Sequence, residues 1–438
     1  MENKYFISEC TLIPTEGSSL KQQFEISGGN PNITYFESVR SPSISLSLNF
    51  VDVDQLVGRE GITGGEYLSL RIKVDGYDDF EIKPDKHFLM LNSVKDVSTS
   101  SSSQVATLEF LSVESIINET SRLSKKFAGN ISNTVLDIMK NDSKGLQTSK
   151  NLDKDESANS YSFVGNQKRP FDTIQWLCSK TSSSAKGFGF LFFETLDGYV
   201  FRSIEKLLEE EPIEYKKSEI STQEDDPFRI IENNLNQTND IGMNCRLGMY
   251  ANKTIYVNID DATLKTVDFK HEDLKLKKSP KLPNQLETFP TRLMLRVLDK
   301  GALQKGSKRK EIQRENELAI YQNKSYARTN SIFSQSMSIS IPFNPDLRAG
   351  RMLNLRFPLR QEGGEQDRTV YGTESTNDPS GKYLIAELKH IIADNKANTQ
   401  LKLIRDVFTV DKTGITDTGE LIRADNRQYG NTWPAGSR

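Results

Sequence analysis

The residue types from which catalytic and metal sites are most often built are scarce here: three histidines, His87, His271 and His390, and three cysteines, Cys10, Cys178 and Cys245. They stand far apart, with no HExxH, CxxC or His–Cys spacing. Neither a zinc site nor a disulfide framework is expected, and an odd number of dispersed thiols points to a reducing compartment at synthesis. Each histidine reads as structural or exposed. Gly187-Phe188-Gly189 begins like a dinucleotide loop, but Phe192 stands where GxGxxG needs its third glycine, and the stretch reads as strand before a hairpin. No GxxxxGK[ST] phosphate loop is present. Asp52 and Asp54 leave a strand end on one face, a spacing that could ligate a cation, although a solvated turn is the plainer reading. A glycosidase pair stays open, because Asp and Glu total 60 and the sequence does not say which of them meet. No catalytic, cofactor-binding or metal-ligating residue is assigned, and no cofactor is expected.

Composition narrows the function classes further. At roughly 150 residues per domain, 438 residues predict about three domains. Lys plus Arg total 57 against 60 acids, a net charge of −3, with no basic block long enough to follow a phosphate backbone. Tight binding of duplex nucleic acid is disfavoured. The basic run Lys305 to Arg314 could touch a nucleic acid or an acidic partner, but a solvated loop is preferred. With 35% hydrophobic and 27% charged residues, the chain reads as polar and elongated or multi-lobed. The longest apolar stretch, Gly187 to Phe193, falls far short of the ~20 residues a bilayer span needs, so no membrane insertion is expected. Met1-Glu2-Asn3-Lys4-Tyr5 offers an early acid and no apolar core, so no signal peptide is expected.

The elements that would position any site are mostly strands. Ser43 to Phe50 (SISLSLNF) alternates strictly, as half-buried antiparallel strands do, and Tyr67 to Ile72, Phe88 to Leu91 and Val105 to Phe110 follow. Residues 1–112 are therefore expected to form a first β-barrel. From residue 113 the period changes: Ser132 or Asn133 is expected to cap a helix bearing Val135, Leu136, Ile138 and Met139, and Pro170 to open another bearing Phe171, Ile174, Leu177 and Cys178. Cys178 then fills a core. Asp142 to Ser160 reads as a solvated loop, and Gly187 to Thr195 and Tyr199 to Ile204 as strands about an Asp-Gly turn. Residues 113–206 are thus an α+β unit. Further strands are expected at Arg229 to Leu235, Asp240 to Tyr250 and Thr254 to Asn258. Residues 273–327, with a strand-like Arg292 to Leu298 and a helix-leaning Lys308 to Glu317, look inserted.

An internal repeat is the most informative signal. SISLSL (43–48) matches SMSISI (336–341) in phase. Gly65 to Ile72 then matches Gly350 to Phe357. His87 to Leu91 with Val105 to Leu111 matches Lys382 to Ile385 with Thr399 to Ile404. Any two alternating strands resemble each other by chance, but four in one order point to duplication. The second barrel would comprise 207–272 and 328–410, and 411–438 a tail. Three such chains about a threefold axis would place six barrels at about 60° intervals. If each is ~25 Å across, the opening is about 25 Å wide, enough to pass a DNA duplex.

At Gly165-Asn166-Gln167-Lys168-Arg169-Pro170-Phe171-Asp172-Thr173-Ile174, Ser380-Gly381-Lys382-Tyr383-Leu384-Ile385 and Leu403-Ile404-Arg405-Asp406, the chain resembles the baseplate hub proteins of T-even-like contractile-tailed bacteriophages. The resemblance covers about residues 1–410. It implies a mainly β fold with α+β parts: two related antiparallel, tube-like barrels and two smaller domains. It further implies a homotrimer that joins the hexameric tail tube, or tube-initiating baseplate proteins, to a trimeric central spike, with contact to a tape-measure protein. DNA would pass without specific binding, in a virion baseplate assembled in the host cytoplasm. The cell-wall hydrolase often associated with such hubs is a separate chain, so no enzyme activity is carried over. The rival readings are a virion-associated peptidoglycan hydrolase and a receptor- or carbohydrate-binding tail protein with clustered aromatics; Trp176 and Trp433 give the latter little support. The 361–381 loop and the 411–438 tail look like local elaborations.

Overall fold

The computed structural model describes residues 5–411 apart from short stretches, the longest at 280–288, 298–307 and 359–378. The 361–381 loop up to residue 378, the tail from residue 412 with Trp433, and Asp54 therefore lie outside the described residues. The first lobe contains β1 (Tyr5–Ile13), β2 (Asn32–Ser38), β3 (Ser45–Asp52), β4 (Tyr67–Val74), β5 (Leu89–Thr99) and β6 (Gln104–Ser112). Alternation does what it should: Leu46, Leu48 and Phe50 are buried while Asn49 is exposed. All neighbours are antiparallel, in the order β2-β3-β6-β5-β4-β1.

An α+β unit follows: α1 (Val113–Thr120), α2 (Ile131–Leu136), β7 (Leu152–Lys154), α3 (Pro170–Cys178), β8 (Phe190–Thr195), β9 (Gly198–Ser203) and α4 (Ile204–Leu208). Pro170 opens α3 as expected, and Cys178 is buried in the unit's own core with Ile174, Leu177 and Phe201. Two expectations need correction. The cap of α2 is Asn130, not Ser132 or Asn133: its Oδ1 accepts from Ser132 N–H, and its amide reaches Ser157 O, so the helix starts a few residues earlier. Asp142 to Ser160 is not a solvated loop. Leu146, Thr148, Lys150 and Ser157 are buried, and β7 pairs parallel to β9. Its polar side chains satisfy one another instead of facing water.

The chain then gives β10 (Ile213–Lys216) and β11 (Glu232–Gln237), departs through α5 (Ile241–Leu247), β12 (Ala251–Asn258), β13 (Thr263–Lys270), β14 (Arg292–Val297) and α6 (Lys308–Ile332), and returns. The stretch from Asp240 to Tyr250 is not a strand but α5, capped by the Asp240 carboxylate on Met243 N–H and ended by Gly248 in the left-handed region at φ 68°. β12 and β13, expected in the second barrel, pair with β14 in a separate three-stranded sheet. The basic run is no loop from Lys308 onward, where it opens a 25-residue helix.

The returning strands are β15 (Gln335–Pro342), β16 (Met352–Arg356), β17 (Gly381–Ala393) and β18 (Lys396–Arg405). The second lobe is ordered β11-β15-β18-β17-β16-β10, the first lobe's order again, strand for strand. Only the last pair differs, β10 running parallel to β16 where β1 is antiparallel to β4. Irregular details repeat as well. β5 has a bulge between Leu91 and Ser93, and β17 has one between Ile385 and Glu387. Gly65 N–H donates to Leu91 O at 2.9 Å and Leu91 N–H to Glu66 O at 2.7 Å; Gly350 and Ile385 repeat this at 2.8 and 2.9 Å, the latter onto Arg351 O. Both glycines are left-handed, at φ 98° and 86°, where a side chain is strained. Aligning the bulges equates Phe110 with Leu403, hence Leu46 with Met337 and Ser45 with Ser336. The sequence pairing of Ser43 with Ser336 is thus off by two residues, although Gly65 with Gly350 is correct.

The lobes are joined edge to edge. β17, past its bulge, pairs antiparallel with β2 from Glu387 opposite Ser38 to Ile392 opposite Ile33. This seam makes one 14-stranded sheet, whose longest run of paired strands ends at β11 and at the short Phe24–Glu25 strand, over one contiguous apolar core that runs from Cys10 to Leu403.

Candidate interaction surfaces

Two of the buried places where the structure brings ionisable groups together join the first lobe to the rest of the chain. At the first, Lys150 Nζ lies 2.7 Å from Glu114 Oε2, 2.6 Å from Glu194 Oε1 and 2.6 Å from Ser112 Oγ. The remaining Glu194 oxygen accepts Ile44 N–H, and the remaining Glu114 oxygen accepts the Thr148 hydroxyl. These groups come from the ends of the first lobe, from α1, from the residues before β7 and from β8. The cluster therefore fastens the α+β unit to the first lobe. Burial pushes the Glu194 carboxyl up, opposed by Lys150. This is the carboxylate pair that could suggest a hydrolase, but Glu114 and Glu194 are 2% and 1% exposed, closed to a polymer.

The second place is the seam. Glu37 on β2 is fully buried; it accepts Leu196 N–H at 2.8 Å, Ala349 N–H at 2.7 Å and the Tyr35 hydroxyl at 2.7 Å. One side chain thus ties the first lobe to the β8–β9 turn and to the loop before β16. Burial raises its carboxyl above the ordinary range, against the pull of Arg348, which itself pairs with Asp197. Across the seam, His390 is buried against Tyr35, Phe80 and Phe343, with Nδ1 2.9 Å from Thr399 Oγ1, and burial pushes its pKa down to about 3.

All three histidines are buried. His87 Nδ1 accepts Lys83 N–H at 2.8 Å, and burial with nearby cations lowers its pKa to about 4. Cys10 is buried with its thiol pushed up to about 12, Cys178 is buried and likewise raised, and Cys245 is half-buried. Asp52 Oδ2 accepts Val57 N–H and serves the local turn. Among the described residues, no group of three or more His, Cys, Asp or Glu could hold a metal ion, and no helix is long and apolar enough to cross a membrane. Trp176 packs against Tyr161 and Phe163 at the core of the α+β unit, partly buried.

What remains is surface. The non-core face of the large sheet carries Ser45, Ser47 and Asn49 on β3, and Ser336, Ser338 and Ser340 on β15. Two Lys–Glu pairs bridge strands there, Lys95 with Glu109 at 2.6 Å in the first lobe and Lys402 with Glu387 at 3.2 Å in the second. A groove of about 380 Å³ runs over this face near the seam, between Phe36, Asn234, Ser338 and Lys389. A different surface lies on the inserted sheet, whose outer side exposes Leu264, Leu293, Leu295 and Val297 at 60–72%.

The fold of this chain, a duplicated, seam-joined sheet with smaller units appended, is similar to that of a solved tail protein. It matches a tail protein from Neisseria meningitidis MC58 with a TM-score of 0.53 at 9% identity, covering 92% of this chain and 97% of that one. A 43 kDa tail protein of prophage MuSo2 from Shewanella oneidensis aligns with a TM-score of 0.48 at 9% identity, over 91% of this chain and 98% of that one. An E. coli component of the type VI secretion system, described as similar to T4 tail proteins gp27 and gp5, aligns at 0.39 and 8% identity over 86% and 73%. No protein-family model matches the chain, and no curated protein matches it in sequence.

Proposed function

We propose that the chain is a structural tail protein, the hub of a baseplate, in which a homotrimer presents six similar lobes around a channel and so adapts a threefold spike to a sixfold tube. The observation that carries this reading is the repeated strand order, together with an intrachain seam that already joins two lobes side by side. A unit that repeats head to tail within one chain needs only the same contact between chains to close a ring.

The lobes comprise residues 1–112 and, with the boundaries that strand pairing suggests, 207–237 with 333–410; the α+β unit is 113–206 and the inserted unit 240–332. The sheet's polar, charge-paired face lines the channel. Serines and asparagines with paired Lys and Glu side chains let a polyanion slide, because a cation already paired with a carboxylate displaces few counterions from it. DNA passes there without being held, the spike and the tube or its initiating proteins dock on the two rims, and the tape-measure protein reaches the ring from the tube side. The assembly resides in the virion baseplate and does no chemistry.

The test is the mass of the purified protein: light scattering should give three times 49.5 kDa, and images of particles should show threefold rings with six lobes. A monomer in solution and in particles would reject the hub. Release of reducing sugar from peptidoglycan by the purified chain would instead support the hydrolase.

A further inference from the structure

Resting on the ring reading, the duplication also says which edges meet between chains. Within the chain, β17 crosses from its own lobe to β2 of the other immediately after its bulge. The first lobe has the same bulge in β5, and past it residues 93–99 pair with β6 on one side while no described strand pairs with the other. The counterpart of β2 is β11: both precede the strands β3 and β15 that they border, and both are antiparallel to them. β11 pairs with β15 on one side, and among the described residues no strand pairs with the other. One chain therefore carries a finished seam and the two unmatched halves of a second.

Exposure agrees. Tyr35 on β2 is 1% exposed, whereas Leu235, which takes its place on β11, is 37% exposed, and Val97 on β5 is 45% exposed. Residues 232–236 are exposed throughout. Unpaired edges bearing apolar groups are what a sheet shows when its neighbour strand belongs to another molecule.

We propose that β5 of one chain pairs antiparallel with β11 of the next, repeating the β17–β2 seam. The register follows from the equivalences. Lys95 corresponds to Lys389, which faces Phe36, the counterpart of Gln237. Each free edge then has one extra residue, between Lys95 and Ser98 on β5 and at Asn236 on β11. The two irregularities offset each other, so that Ser98 and Asn234 stand opposite, where Ile391 and Thr34 stand in the finished seam. A second copy is the occupant because it offers the complementary edge, and three copies in a ring match every such pair of half-seams.

Directly opposed residues of antiparallel strands have Cα atoms about 4.5–5.5 Å apart, within the range of a disulfide. In a Cys245→Ser background, Ser98→Cys with Asn234→Cys should, under mild oxidation, shift the protein from 49.5 kDa to a covalent species of three times that mass on a non-reducing gel. Neither single variant should give it. Thr34→Cys with Ile391→Cys should form a bond inside one chain, without change of mass, which shows that this geometry accepts a disulfide. A trimer in solution that stays uncrosslinked while the control pair oxidises overturns the seam and leaves the ring. A monomer at every concentration and in particles overturns both.

Discussion

Lys150 is the single cation for two buried carboxylates, so replacing it tests whether the union of the α+β unit and the first lobe rests on charge balance. In Lys150→Met the apolar stem is kept and three short contacts of the ammonium, with Glu114, Glu194 and Ser112, are lost. Two carboxyl groups no more than 2% exposed would then face each other with only neutral donors. Removing one partner of a buried ionic network costs about 3–5 kcal/mol, and that is the expected loss. Trp176, packed on Tyr161 and Phe163, reports the unfolding of this unit in urea through its fluorescence. A second signature separates charge from packing. Without the ammonium, the carboxyl pair holds a proton more readily when folded than when unfolded, so the native state binds more protons and the variant loses stability as pH rises. Lowering the pH from about 7.5 to about 5 should therefore recover part of the loss, and adding Glu114→Gln should recover part of it at neutral pH. A loss under about 1 kcal/mol, or one indifferent to pH and to Glu114→Gln, refutes the reasoning.

His390 titrates in the opposite sense. Its native pKa of about 3 lies below that of an unfolded histidine, so between the two values the unfolded chain binds the extra proton and stability falls as pH falls; from about pH 7.5 to about 5 the share is about 2 kcal/mol, and His390→Phe, set among three aromatic rings, should remove that part of the pH dependence. The paired glycines should answer differently to alanine. At Gly65 the nearest atom to a new Cβ is 3.8 Å away, so only the left-handed backbone is strained and about 1–2 kcal/mol is expected. At Gly350 the Cβ would also come 2.7 Å from Phe193 Cζ, adding about 1–3 kcal/mol, of which Phe193→Leu should return a part in urea titrations. Equal losses at the two sites would contradict the packing described.

Alternation along single strands was enough to place Leu46, Leu48, Met337 and Ile339 in a core and the serines between them outside, because the side-chain period of a strand is a local property. The same period explains the misalignment of the repeat by two residues: a shift of two leaves every face unchanged, so patterning sets phase but not register, and the bulges at Asn92 and Ala386 decide it. The Gly-Glu-Tyr and Gly-Arg-Met starts of β4 and β16 were legible because left-handed glycines mark them directly. Asp240 to Tyr250 was misread although Asp240 and Gly248 are a helix cap and stop, since a seven-residue helix shows too little periodicity to outweigh its strand-like neighbours. β2 passed unnoticed despite the alternation of Ile33 and Tyr35, and with it Glu37 and the seam.

Composition could not reveal Lys150, whose surroundings of Lys, Asp and Ser look like solvated loop; burial came from partners 36 and 44 residues away. The chain order of four matching strands, the duplication and the serine-bearing face were thus within reach of the sequence, each being written in short-range patterns. The seam that joins Ile33 to Ile392, the closed carboxylate pair and the two free edges came only from the tertiary structure. Pairing between distant segments depends on which backbone groups are left without partners once every nearer strand has been satisfied, and no local window contains that information.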